Sequence, residues 1–170
     1  MQMEPWKGEH QSFVDHVVRH VYLLPVEDRT MLQILEAIST VRPQLQSHLF
    51  PSNGCYYISL AQIIDHLMQH MQGKGRHLEK EWICTFWEMY DEARDTHLQL
   101  DHVIIQQSSN QFSVQKYFVH QIDDQVEEFI QSVIQWSRYT FQQIPDVIES
   151  IVLSTGKSVT YWPEKSEFST

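Results

Sequence analysis

Residues 76–107 read RHLEKEWICTFWEMYDEARDTHLQLDHVIIQQ, and the reading of this stretch decides the fold. Apolar side chains fall at Leu78, Trp82, Phe86, Met89, Ala93, Leu100, Val103 and Ile104. Most are three, four or seven apart, close to the heptad-like stripe of one long helix. The rings of Trp82, Phe86, Trp87 and Tyr90 cover more than one face of such a helix, so its middle is expected to be buried on two sides. Ser108-Ser109-Asn110 is a polar turn. A second long helix is expected over 111–143, with Tyr117, Phe118, Ile122, Val126, Phe129, Ile130, Val133 and Trp136 inward. Two helices of about 30 residues are about 45 Å long. That length implies projecting ends or a homodimer formed through the long helix pair, as in a four-helix seam.

Working outward, residues 9–24 place Phe13, Val17, Val21 and Leu24 on one helical face before Pro25. A second short helix is expected over 27–41, with Met31, Leu32, Leu35 and Ile38 apolar and Pro43 closing it. Pro43 to Tyr57 reads as a loop. Ser59 is the expected N-cap of a third helix over 60–72, ended by Gly73 and Gly75. Pro145 interrupts the last long helix, a short helix continues to Leu153, and 154–170 is a polar tail. The expected fold is all-α: short N-terminal helices, then a long antiparallel helix pair, in one domain over 1–153.

Bulk composition agrees with one globular core. The 170 residues are 42% hydrophobic, and only 5 are Gly, fewer than sandwiches or dinucleotide folds use in their turns. A net charge of -10 repels phosphate and anionic headgroups, so neither nucleic acid nor an anionic membrane surface is an expected partner. No membrane span or signal peptide is read, and Cys55 and Cys84 read as reduced thiols of a cytoplasmic protein.

Ten histidines invite a metal reading. His16 and His20, and His66 and His70, are spaced i, i+4, as are His77 with Glu81 and His97 with Asp101. Lone pairs of this kind have low specificity, and the plainer reading is half-buried or surface histidines on amphipathic helices. A haem protein would need one proximal histidine, for which His66, His70 and His77 are all placed, but none is singled out. No metal or cofactor is assigned. No Gly-x-Ser-x-Gly, Walker A or His-Glu-x-x-His motif occurs, so no enzyme activity is expected.

Gly75–Tyr90, GRHLEKEWICTFWEMY, followed by VQKYFVHQIDDQVEEFIQSVIQWSRY, resembles the non-haem globin sensor domain of stressosome regulators of the RsbR kind. Phe86-Trp87 with Tyr90, Tyr117-Phe118 and Ile122-Asp123 carry the likeness, which covers about 75–140. The resemblance extends to sensor domains of sporulation histidine kinases and to stand-alone homologues that inhibit sporulation. It implies a globin-like fold whose haem space holds a fatty acid, with a halide site nearby. It further implies regulation of a histidine kinase through its sensor domain, by sequestering ligand or partner. Trp82, Phe86, Trp87, Tyr90, Tyr117 and Phe118 would line that space, with Arg42, His66, His70 and His77 at its polar end. The competing readings are a haem or metal-binding helical protein and a ligand-free protein-interaction adaptor.

Overall fold

The decisive stretch is extended, not helical. In the computed structural model, which describes residues 4–72, 80–93, 95–120 and 123–164, Lys80–Asp91 forms strand β1 and Thr96–Ser108 strand β2. They pair antiparallel from Lys80↔Gln107 to Asp91↔Thr96. Gln111–Phe118 is β3, antiparallel to β2 from Ser108↔Gln111 to Ile104↔Gln115. The turn expected at Ser109-Asn110 is therefore real, but it joins two strands. The second long helix is replaced by β3 and a helix over Asp123–Phe141, and the short helix before Leu153 by β4, Val147–Val152. Lys157–Tyr161, expected as tail, is β5. The five strands lie in the order β1-β2-β3-β4-β5. The fold is therefore mixed α/β, and the all-α, globin-like expectation is overturned, along with the helix pair proposed to form a dimer.

The physical reasons are local. Trp82, Ile83, Thr85, Phe86, Trp87 and Tyr90 are β-formers that lose rotamer freedom in a helix. Leu98 and Leu100 alternate with His97 and Gln99 at period two. The helical spacing of Trp82, Phe86 and Met89 is incidental to a run that is apolar at nearly every position.

N-terminal to the sheet, α1 spans Pro5–Tyr22, α2 Met31–Val41 and α3 Asn53–Met71, so the Asp123–Phe141 helix is α4. Short 3₁₀ turns at Val26–Asp28, Arg42–Gln44 and Ser47–Leu49 join them. Thr30 caps α2 by accepting from the Gln33 N–H. Ser52, not Ser59, caps α3, accepting from the Cys55 N–H at 3.1 Å. Ser59 lies one and a half turns inside α3, where its hydroxyl donates to the Cys55 carbonyl at 2.6 Å. Among the described residues, no helix is long and apolar enough to cross a membrane.

β3 and β4 run parallel. Phe112, Phe118 and Val119 carbonyls accept from the Asp146, Leu153 and Ser154 N–H groups in the same chain order. Parallel neighbours need a long crossover, and α4 supplies it. The β4–β5 link at 153–156 is by contrast a tight turn.

The described residues divide into two units. The first holds 4–72, 117–120 and 151–157. Its core is Phe13, Val14, Val17 and Val21 of α1, Ile34 and Ile38 of α2, and Leu60, Ile63 and Leu67 of α3, with Tyr117, Val119 and Leu153. The second holds the remaining described residues, with α4 packed on β2. There Phe141 meets Trp136 at 5.1 Å, Phe112 at 5.4 Å and Trp82 at 6.2 Å between ring centroids.

One histidine of the first unit is fully enclosed. His10 is 0% exposed, edge-on to Trp6 at 5.7 Å and tilted against Phe50 at 4.7 Å. Burial, reinforced by nearby His120, holds its imidazole down to about 4. The unfolded chain therefore takes up protons first. Stability is complete above about pH 6.5 and is expected to fall toward pH 4 by up to about 3 kcal/mol. Urea unfolding midpoints measured across that range should show the slope, and His10→Leu should flatten it.

Candidate functional site

The most unusual surface of the second unit is the β1–β2 hairpin. Its loop, 92–95, contains no Gly, Pro or Asn. It is closed instead by Asp91, whose carboxylate accepts from the Ala93 N–H at 3.1 Å, and by Asp95 in a left-handed conformation at φ 51°. The Tyr90 hydroxyl donates to the Asp95 carboxylate, tying the loop to the strand.

Opposed residues share a face, so the register sorts the hairpin into two faces. On one lie Ile83, Trp87 and Met89 of β1 with Ile104, Leu100 and Leu98 of β2, and these three β2 residues are buried. On the other, Trp82 sits opposite Ile105 and is held by Phe141 of α4. Further along the same face, Phe86, Glu88 and Tyr90 lie opposite Asp101, Gln99 and His97. Phe86 is 57% and Tyr90 54% exposed. Glu88 and His97 pair diagonally at 3.4 Å. β1 is the terminal strand of the sheet, and none of its 12 residues is buried. Its outer N–H and C=O groups face no further strand among the described residues.

The β2–β3 ladder stops at Ile104↔Gln115, and the chain is strained just beyond. His102 has φ 48°, and the Thr85–His102 pair alone is missing from the β1–β2 ladder. Lys116, only 6% exposed, fills the fork: its ammonium donates to the Asp101 carbonyl at 2.7 Å and to the Asp101 carboxylate. The His102 side chain and the Lys116 ammonium hold the Asp101 carboxyl well below the usual range, against the opposing effect of burial. A left-handed residue in mid-strand thus accompanies a buried lysine that draws on the carbonyl and one carboxylate oxygen of the same aspartate.

The ten residues expected to form one ligand site are distributed as follows. Trp82, Phe86, Trp87 and Tyr90 are on β1, and Tyr117 and Phe118 end β3 with both rings buried. They belong to strands, so they do not face one another across a helix pair. Arg42 is exposed and borders an open depression of about 440 Å³ with Ser39, Ser47, Asn53, Tyr56 and Tyr57. His66 and His70 are engaged elsewhere in the first unit. The His66 Nδ1–H donates to the Leu153 carbonyl at 2.6 Å, and the His70 Nε2–H to the Gly156 carbonyl at 3.3 Å. The i, i+4 pair on α3 thus clasps the 153–156 turn. His77 lies outside the described residues. His97 and Asp101 lie on a strand, not one helix turn apart as expected. The fork at Asp101 and Lys116 was missed; the signal was a lone lysine within the apolar run FSVQKYFV.

No protein-family model matches the chain, and comparison with curated proteins finds no match.

Two expectations follow. Gly156 has φ +69°, and a Cβ there would come within 2.7 Å of the His66 ring. Gly156→Ala should cost more than about 1 kcal/mol from backbone strain and the clash, and adding His66→Ala should recover part of the loss in thermal unfolding. At the fork, a double-mutant cycle of Asp101→Asn and Lys116→Met should show a favourable coupling of about 1–2 kcal/mol in chemical denaturation.

Proposed function

We propose that this protein works by binding another polypeptide, which adds a strand to the free edge of β1. The observation that carries the reading is a 12-residue edge strand with no buried residue and two largely exposed rings, Phe86 and Tyr90. A strand edge presents a row of unpaired backbone donors and acceptors, and proteins ordinarily blunt it with short strands, prolines or covering loops. β1 is long, has no proline, and carries Trp82, Phe86, Trp87, Met89 and Tyr90 within nine residues. In strand addition the backbone supplies affinity and alternate side chains supply selectivity. Phe86 and Tyr90 fit the second role, being large, stiff groups with little entropy to lose on docking. The opposite, buried face of the hairpin gives the edge a rigid backing.

Hydrogen exchange on the full chain tests this. In the dilute, isolated protein, the β1 amides that point away from β2 should exchange much faster than those of β2. A bound partner chain should slow that alternate set selectively. Outward amides as slow as those of β2 in the isolated monomer would mean that the edge is already covered, and would end the reading.

A further inference from the structure

The β1 edge has a sequence that complements itself, and from this we infer that its occupant is the β1 strand of a second copy of the chain, paired antiparallel about a two-fold axis through Phe86. The inference rests on the edge-docking reading above and gives it a partner and a register.

Two sheets joined edge to edge by a two-fold perpendicular to them keep corresponding faces on the same side. Opposed residues must then share a face, so only pairings between residues of like parity are allowed. With the axis at Phe86, Trp82 lies opposite the partner's Tyr90, Ile83 opposite the partner's Met89, and Phe86 opposite the partner's Phe86. Lys80, the first residue of β1, falls at each end beside Glu92 at the start of the partner's hairpin loop. All of these except Phe86 on itself occur twice. The result is an aromatic ladder flanked by opposite charges.

The neighbouring allowed registers are worse. Moving the axis to Thr85 sets Trp82 against Glu88 and Glu81 against Met89. Moving it to Trp87 sets Ile83 against Asp91 and Phe86 against Glu88. In both, carboxylates face apolar side chains twice over. The favoured register has two less favourable pairings, Glu81 with the partner's Asp91 and Glu88 with the partner's Cys84, but it keeps every carboxylate away from the aromatic rings. Within its own sheet, however, the Glu81 carboxylate already accepts from the Gln106 amide at 2.9 Å, and that of Asp91 from the Ala93 N–H. Glu88, which falls opposite Cys84, is likewise paired within its own hairpin, with His97.

An interface one strand long is small, so the association should respond to dilution. Each chain carries a net charge of -10, so added salt should strengthen it by screening the mutual repulsion.

Sedimentation and native mass spectrometry of the full chain over a concentration series are expected to show a monomer–dimer equilibrium. Phe86→Arg should weaken it by about thirtyfold. At concentrations where both proteins are monomeric its thermal midpoint should match that of the parent, because Phe86 is largely exposed in the monomer. Register is read by cross-linking in a background of Cys55→Ser and Cys84→Ser. Phe86→Cys puts two thiols on the axis and should form an intermolecular disulfide under mild oxidation. Glu88→Cys puts its two thiols about 13 Å apart along the strands and should not. A chain that stays monomeric throughout the series, or a Glu88→Cys variant that cross-links as readily as Phe86→Cys, overturns the proposal. If the monomeric chain has fast-exchanging β1 amides that a different protein protects, the self-pairing is wrong and edge docking stands. If those amides are slow in the monomer, both fall.

Discussion

Most of what distinguishes this molecule depends on one ladder, the antiparallel pairing of β1 with β2. It fixes which side chains of residues 80–91 and 96–107 share a face. A shift of one residue would put Phe86 and Tyr90 on the same face as Leu98, Leu100 and Ile104, so that one set or the other would have to change sides. The buried aliphatic face makes such a shift costly, so the register holds. Once it holds, Phe86 and Tyr90 are committed to the open face, while Trp87 turns to the other. Trp82 is reached by Phe141 at the end of α4, and Phe86 and Tyr90 lie past that cover. The exposed rings are thus a consequence of which hairpin face is buried and where α4 ends.

Where the ladder is interrupted, charge takes over from backbone pairing. β2 parts from β3 beyond Ile104↔Gln115, and the turned backbone at His102 accompanies a carbonyl and a carboxylate of Asp101 that both serve Lys116. A buried ammonium needs such a pair of acceptors to compensate its lost hydration. Histidine plays a comparable part in the first unit. His66 and His70 hold the carbonyls of a turn whose left-handed Gly156 leaves no room for a side chain beside the His66 ring. The i, i+4 spacing that suggests a metal pair on paper places two donors over the two carbonyls of one turn.

The sequence was legible where a segment's own side chains settle its conformation. The α1 stripe of Phe13, Val17 and Val21 and the α4 set of Val126, Phe129, Val133 and Trp136 are buried as their spacing requires, whereas on α2 Met31, Leu32 and Leu35 are exposed and Ile34, Ala37 and Val41 join Ile38 in the core. The turn at Ser109-Asn110 was legible too. The loop at 92–95 was not, because Glu92, Ala93 and Arg94 are good helix formers and nothing there breaks a helix. That omission fused two strands into one imagined helix and led to the all-α reading. The start of α4 at Asp123-Asp124 was not read as a helix start, although two carboxylates suit a helix N-terminus. That fused β3 to α4.

Of the candidate site residues, the sequence by itself determined only that Trp82, Phe86, Trp87 and Tyr90 form an aromatic group on one element. Tertiary structure decided the rest: that this element is a sheet edge, that Phe86 and Tyr90 are uncovered, and that Lys116 finds Asp101 15 positions away. Local propensity and spacing are properties of a segment, whereas strand pairing and burial depend on partners distant in the chain. An apolar run with side chains on every face fits a helix or a strand equally well until those partners are present.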